Sequence, residues 1–357
     1  MKRRVLMVGR TRYALPLEQS LRRKFDALRD RFELRVLGSG PVGDETFSLH
    51  PSGPLDGLRY HAGLPLRVAG ELRRRPADAI LVQGPHEAAL VLAGRRLAGS
   101  RARVIVDVHG DWRTATRLYG SPARRALDPL ADRLAAWALR RADAVRTVSD
   151  YTSGLVRELG VEPAATFPAY MDLEPFLGPP APLPGRPVAL FVGVLELYKN
   201  VDGLAEAWRE VAPRVPEATL RIVGRGSRRE VVERLVQDLP GRTRWDERLT
   251  PEEVARALDE ASLVVLPSRS EGMGRVIVEA LLRGRPVLGS RVGGIRDLVR
   301  DGENGLLVEP GRLAPALERA LSDRDLLERL AANARGSVEP WLATPDDFAE
   351  RVRELVG

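Results

Sequence analysis

Short apolar runs alternate along the chain with stretches whose apolar residues recur at helical spacing. In the first half the runs are Arg4 to Val8, Leu34 to Leu37, Ala79 to Val82, Val104 to Val108 and Ala144 to Val148. In the second they are Ala189 to Val194, Thr219 to Val223, Leu263 to Leu266, Pro286 to Gly289 and Gly305 to Val308. Runs this short and continuous predict strands buried on both faces of parallel sheets, with the helical stretches as crossovers. None approaches the ~20 apolar residues of a membrane span. Prolines 179, 180, 182, 184 and 187 hold the intervening chain extended and out of helix or central strand. The expectation is an α/β chain of two doubly wound, Rossmann-like domains, 1–178 and 188–338, with a Pro-rich linker at 179–187. Ligands of such sheets bind beyond the carboxyl ends of the strands, in a cleft.

Composition narrows the chemistry. The 357 residues include no Cys, which excludes disulfides, thiolate metal sites and a cysteine nucleophile. Of 56 basic residues only Lys2, Lys24 and Lys199 are lysines, so a lysine is more informative here than any single arginine. Residues 1–185 carry 29 Lys and Arg against 20 Asp and Glu; residues 186–357 carry 27 against 29. All four histidines, His50, His61, His86 and His109, fall in the basic half. Met1 to Arg4 followed by Val5 to Val8 starts like a signal peptide, but its apolar stretch is short of the ~7 to 15 residues required. It reads as a first buried strand of a cytoplasmic protein.

Two glycine motifs invite phosphate readings. Gly38-Ser-Gly40-Pro-Val-Gly43 matches G-x-G-x-x-G but leads into Pro- and Gly-punctuated sequence instead of a helix, so it reads as a loop and not a dinucleotide site. In Leu220 to Leu235 a strand passes through Gly224-Arg225-Gly226 into an amphipathic helix. That helix start could meet an anion, or its glycines could serve only a tight turn.

The richest stretch runs from Leu263 to Leu288. A buried strand ends at Pro267-Ser268, a loop carries Glu271, Gly272, Met273 and Gly274, and a helix follows from Arg275. This arrangement sets unpaired N–H groups where an anion would sit. Glu279 is the one carboxylate among Val276, Ile277, Val278, Ala280, Leu281 and Leu282. It is either buried, and then in need of donors such as ligand hydroxyls, or on a narrow solvent stripe.

Glu271 and Glu279, inside Pro-Ser-x-x-Glu-Gly-x-Gly-x-x-x-x-Glu-Ala, resemble the E-x7-E signature of glycosyltransferase family 4. Phe191 to Leu204, Leu220 to Gly226, Pro286 to Ser290, Val292 to Ile295 and Asp301 to Pro310 fall in the order expected of the family's donor domain. Ala142 to Ser149, Gly160 and Pro168 to Phe176 resemble the end of its acceptor domain. The resemblance implies the GT-B fold and transfer of a hexosyl group from a nucleotide diphosphate sugar, with retention of configuration and without a required metal or other cofactor. It implies that Glu279 binds the ribose, that Glu271 and His109 face the donor sugar, and that amides from Met273 to Val276 hold the diphosphate with Lys199. Gly193, Gly224, Arg225, Ser268, Gly274 and Arg275 complete the donor set, with Arg244 and Trp245, in a loop after a strand, near the base. It also implies that residues 339–357, with the helical pattern Phe348 to Val356, return to the first domain; a plain C-terminal helix is the other reading.

Two departures stand near the phosphate. Val194 occupies a position where the family has an arginine, leaving Arg225, Arg275 or Arg10 to substitute. Gly9-Arg10-Thr11-Arg12-Tyr13 replaces a Gly-Gly loop, which puts Arg10, Thr11 and Tyr13, with Asp111, on the acceptor side. Basic clusters at Arg22 to Lys24, Arg73 to Arg75, Arg113 to Arg125 and Arg140-Arg141, and the amphipathic helix Leu17 to Phe32, suit a glycan, lipid-linked or anionic acceptor and an anionic membrane surface, or are ordinary solvated faces. Nucleic acid is not expected, because the few aromatics offer no stacking platform. A nucleotide-sugar epimerase and a non-catalytic sugar-nucleotide binder are the alternatives.

Overall fold

In the computed structural model, which describes residues 2–51, 53, 56–114, 128–309 and 311–357, the chain forms two units. Met1–Asp172 and Ala343–Gly357 make the first, and Leu173–Leu342 the second.

The first unit contains, in order, β1 (Arg3–Arg12), α1 (Gln19–Arg31), β2 (Phe32–Ser39), β3 (Phe47–His50), α2 (Asp56–Arg74), β4 (Ala79–Gln83), α3 (Pro85–Leu97), β5 (Arg103–Val108), α4 (Asp128–Arg141), β6 (Ala144–Thr147), α5 (Asp150–Arg157) and β7 (Ala165–Thr166). The sheet is parallel with order β3-β2-β1-β4-β5-β6-β7, so its direction of growth reverses between β1 and β4. Successive strand residues point to opposite faces, and both faces are covered. Leu6, Val8, Ile80, Val82, Val104 and Val106 pack under α2, α3 and α4 through Leu64, Val68, Val91, Ala135 and Leu139. Val5, Met7, Leu81 and Ile105 pack on the other face with Phe25 and Leu28 of α1. This is why the strands read as unbroken apolar runs.

The second unit holds β8 (Val188–Val192), α6 (Val201–Val211), β9 (Thr219–Val223), α7 (Arg229–Asp238), β10 (Thr243–Asp246), α8 (Pro251–Asp259), β11 (Leu263–Leu266), α9 (Arg275–Leu282), β12 (Val287–Ser290), α10 (Ile295–Leu298), β13 (Gly305–Val308), α11 (Leu313–Ser322) and α12 (Arg324–Ala334). Its parallel sheet has order β10-β9-β8-β11-β12-β13, reversing between β8 and β11. Ala189, Phe191, Leu220, Ile222 and Val265 share a core with Leu204 and Trp208 of α6, Leu235 of α7 and Leu317 of α11.

The chain then returns to the first unit as α13 (Pro345–Val356), whose Phe348, Ala349, Val352, Leu355 and Val356 are buried in the core containing Phe25 and Leu28 of α1. Thr344 and Asp347 start this helix with a reciprocal capping box.

The Pro-rich segment behaves differently from the linker expected of it. The chain passes between units at Asp172/Leu173 and Leu342/Ala343, and residues 179–187 lie wholly in the second unit. Arg285, buried between β11 and β12, donates from Nη2 to the carbonyls of Ala181 (2.7 Å) and Pro182 (3.3 Å), tying the segment down. Three strands escape the apolar-run pattern: β3 and β10 are short and partly polar, and β7 has two residues. No described helix is long and apolar enough to cross a membrane. Of the expected basic cluster Arg113 to Arg125, residues 115–127 lie outside the described residues, as does Pro310.

Candidate functional site

The loops that leave β8 and β11 meet where the second sheet reverses direction, the place where doubly wound folds bind ligands. From β11 the chain runs through Ser268 and Glu271 to Gly274, which caps α9 in the left-handed region (φ 78°). A side chain there would be strained, so glycine serves the turn. The N–H of Ile277 closes the first turn on Gly274 O (2.8 Å). Among the described residues, the N–H groups of Met273, Gly274 and Val276 donate to no protein acceptor. They form an open helix N-terminus with the partial positive charge that attracts anions.

A second loop braces this one. The N–H of Gly294 donates to Glu271 O (2.9 Å), and a Cβ on Gly294 would stand 2.1 Å from Gly272 O. Gly293 is as tightly placed against Glu271 O. On the β8 side, Gly193 N–H continues the ladder to Val223 O (3.0 Å) and Leu195 N–H to Arg225 O (2.9 Å). A Cβ on Gly224 would sit 1.8 Å from Gly193 O, so the Gly224-Arg225-Gly226 glycines serve close backbone approach. Arg269 N–H donates to Tyr198 O (2.7 Å), and its guanidinium donates to Asn200 Oδ1, joining the two loops.

Two acid–base pairs flank the open amides. Lys199, only 8% exposed, places Nζ 2.5 Å from Glu271 Oε2, which also accepts from Ser268 Oγ at 3.5 Å. Glu279 is 7% exposed, which settles its position in favour of burial. Its Oε1 accepts from Arg275 Nε at 2.5 Å. Burial pushes the Glu279 carboxyl above its ordinary pKa of 4.5, with the Arg275 guanidinium working against that shift. Arg275, at the first position of α9, is about half exposed. Ser268, Glu271, Met273, Gly274, Arg275, Val276 and Glu279 thus gather around one helix end with Lys199.

Arg244 and Trp245 are not loop residues, in contrast to the expectation. They belong to β10, where the ladder to β9 fixes them on opposite faces. Trp245 packs against the core and donates from Nε1 to Gly224 O (2.9 Å), with the Arg229 guanidinium over its ring. Arg244 is exposed and paired with Asp246 (3.1 Å). Arg225 is exposed at the turn after β9, and Val194 is 45% exposed beside it.

In the first unit, His109 follows β5, with Nε2 3.8 Å from Asp107 Oδ2, which in turn lies 3.2 Å from Arg146 Nη1. Nothing in the spacing announced the pair Asp107–Arg146; the β5–β6 register sets the two opposite each other. The expected loop after β1 is also different, because β1 continues to Arg12. Arg10 pairs with Asp56 (3.1 Å), and Thr11 Oγ1 donates to Gln83 Oε1 (2.5 Å). Tyr13 is core rather than acceptor surface: its ring meets Phe25 and Phe47 edge-on, and burial pushes its hydroxyl up to about 12. Asp111 accepts from Arg113 N–H (2.9 Å) and from Tyr151 OH (3.4 Å), so its carboxylate is spent on the local turn. Among the described residues no three His, Asp or Glu side chains gather as a metal site.

The chain matches the family "Glycosyl transferases group 1" over residues 179–337 and "Glycosyl transferase 4-like domain" over residues 10–168. It is 32% identical over 228 residues to the alpha-D-kanosaminyltransferase of Streptomyces kanamyceticus, covering 59% of each chain. It is also 32% identical over 302 residues to the 2-deoxystreptamine glucosyltransferase of the same organism, covering 78% of this chain and 76% of that one. The chain therefore spans less than two thirds of the first relative's length and about three quarters of the second's. Its fold is similar to that of Anabaena Alr3699/HepE, solved in complex with UDP-glucose, with TM-score 0.74 at 19% identity over 99% of both chains. With both units matched and a relative covered over most of its length, the chain belongs to the family 4-like glycosyltransferases of the GT-B fold.

Proposed function

We propose that the chain transfers a hexosyl group from a nucleotide diphosphate sugar to an acceptor hydroxyl with retention of configuration, and that the donor binds at the amino end of α9. The observation that carries this reading is the set of open amides at Met273, Gly274 and Val276, bracketed by the buried Glu279 and by the Lys199–Glu271 pair. A diphosphate suits those amides and the Lys199 ammonium. Ribose hydroxyls would give the buried Glu279 carboxylate donors beside the Arg275 guanidinium. Glu271 takes hydroxyls of the sugar. The HepE structure, solved with UDP-glucose, supports a uridine or related nucleotide as carrier.

In the transfer, the bond from the anomeric carbon to the β-phosphate oxygen breaks and the acceptor oxygen bonds to the same face of that carbon. The acceptor proton passes to the departing diphosphate oxygen. The α9 amides and Lys199 stabilise the charge that develops on the leaving group, which lowers the barrier more than it tightens ground-state binding.

The basic character of residues 1–185 favours an anionic or lipid-linked acceptor. The acceptor named for the glucosyltransferase relative, 2-deoxystreptamine, favours a small cyclitol instead. Salt-sensitive binding to vesicles containing anionic lipid supports the first; its absence together with turnover of a neutral or cationic cyclitol supports the second.

Thermal shifts against UDP-, GDP- and ADP-sugars test the donor site, because ligands that bind the folded state raise its apparent stability. At least one panel member is expected to raise Tm in wild type, and Glu279→Ala to abolish that rise. A retained rise removes the ribose role of Glu279.

A further inference from the structure

Arg275 stands where physics disfavours a cation. It opens α9, at the positive end of the helix dipole, where a cation costs about 0.3–1 kcal/mol. Its pair with Glu279 also runs in the weaker sense, the cation preceding the acid by four residues. The two partners differ in surroundings: the Arg275 side chain is 48% exposed and that of Glu279 9%. Among the described residues Glu279 has no side-chain partner other than this guanidinium. The neighbouring amides of Met273, Gly274 and Val276 are where an anion would meet the guanidinium. Lys199 is held by Glu271 at 2.5 Å as Arg275 is by Glu279, and position 194, on the loop near Lys199, is a valine and supplies no second cation.

We propose that Arg275 is a diphosphate-binding residue that the nucleoside releases: in the empty site it neutralises Glu279, and ribose hydroxyls donating to that carboxylate free the guanidinium for the diphosphate. The inference rests on the donor site described above and adds a coupling to it. Each half of the nucleotide then prepares the site for the other, since the ribose gives Glu279 its donors while the guanidinium exchanges one anion for another. The exchange leaves the buried carboxylate hydrogen-bonded to ribose hydroxyls and the guanidinium on the diphosphate.

Titrations of the full chain with UDP and GDP, and by NMR with uridine and guanosine, separate the two halves. For the nucleotide that wild type binds, Arg275→Gln is expected to weaken the diphosphate about tenfold or more, as for a lost charge-assisted hydrogen bond. The matching nucleoside should bind at least as tightly as to wild type at pH 7, because its contact is with Glu279 and no guanidinium has to be displaced. Arg275→Lys, which keeps the charge, should recover part of the diphosphate affinity. In Arg275→Gln the loss of nucleoside binding on acidification should also begin at higher pH, since Glu279 has lost its cation. Equal weakening of nucleoside and diphosphate, or no weakening of the diphosphate, overturns the proposal. Failure of wild type to bind UDP, GDP or ADP overturns the donor-site reading beneath it.

Discussion

Glu279 shows how a single residue carries opposite demands. Its carboxyl is held above the ordinary range by burial, so the folded chain keeps a proton that the unfolded chain would release. The sign follows: below the unfolded pKa of 4.5 the group is neutral in both states and costs nothing, and as pH rises through 4.5 toward the folded value the fold loses stability. Glu279→Gln is therefore expected to raise the Tm of the unliganded protein at pH 7 while removing the nucleotide-dependent shift. A lowered Tm would show that the pair with Arg275 outweighs the burial. On the proposed ribose contact, donor binding uses the ionised form, so the nucleotide affinity of wild type should fall as pH is lowered toward 4.5. Glu271 poses a different question, because it sits on Lys199 rather than on the helix amides. Glu271→Gln should lower kcat by more than it weakens nucleoside diphosphate binding; parallel losses in kcat and in Kd would move Glu271 from the sugar to the diphosphate.

Among the elements, the α9 loop is the most dependent on its neighbours. Gly294 has an ordinary right-handed backbone (φ −70°), so alanine there meets no conformational penalty, and only its Cβ, 2.1 Å from Gly272 O, is excluded. Gly294→Ala should cost about 1–3 kcal/mol, as overpacking does, and should lower nucleotide affinity by displacing the loop that carries Glu271. Unchanged affinity on calorimetric titration would mean the brace is dispensable. The apolar runs made most of the strands legible in the sequence, and the glycine loop with its following helix made the open amino end of α9 legible as well. Of the three strands that were not legible, β7 has only two residues, and β3 and β10 are short elements that alternate in burial or polarity and gain their pairing from sheet register, which no local pattern records. Trp245 and Tyr13 misled for related reasons: Trp245 lies in β10, which has no apolar run, Tyr13 follows β1, whose length its apolar run understates, and each side chain turns into a core. The Arg275–Glu279 and Lys199–Glu271 pairs lay in plain view as residues, but the second joins positions 72 apart through the β8–β11 pairing.

For the molecule as a whole, the chain's path matters as much as its two sheets. The first unit is closed by α13, whose Phe348 is buried among aromatic and aliphatic neighbours, with the rings of Phe167 and Tyr170 edge-on to it. Phe348→Ala should cost about 3–5 kcal/mol and should lower hydrogen-exchange protection across α1 as well as α13. Protection lost in α13 alone would show that the helix is an appendage and not part of the core. Both chain crossings, at residues 172/173 and 342/343, follow from the same return. The route has a consequence for birth on the ribosome. The polypeptide that completes the second unit is finished before α13 exists, so synthesis from the amino end lets that unit settle first while the one begun earlier waits, its α1 side uncovered, for its last helix.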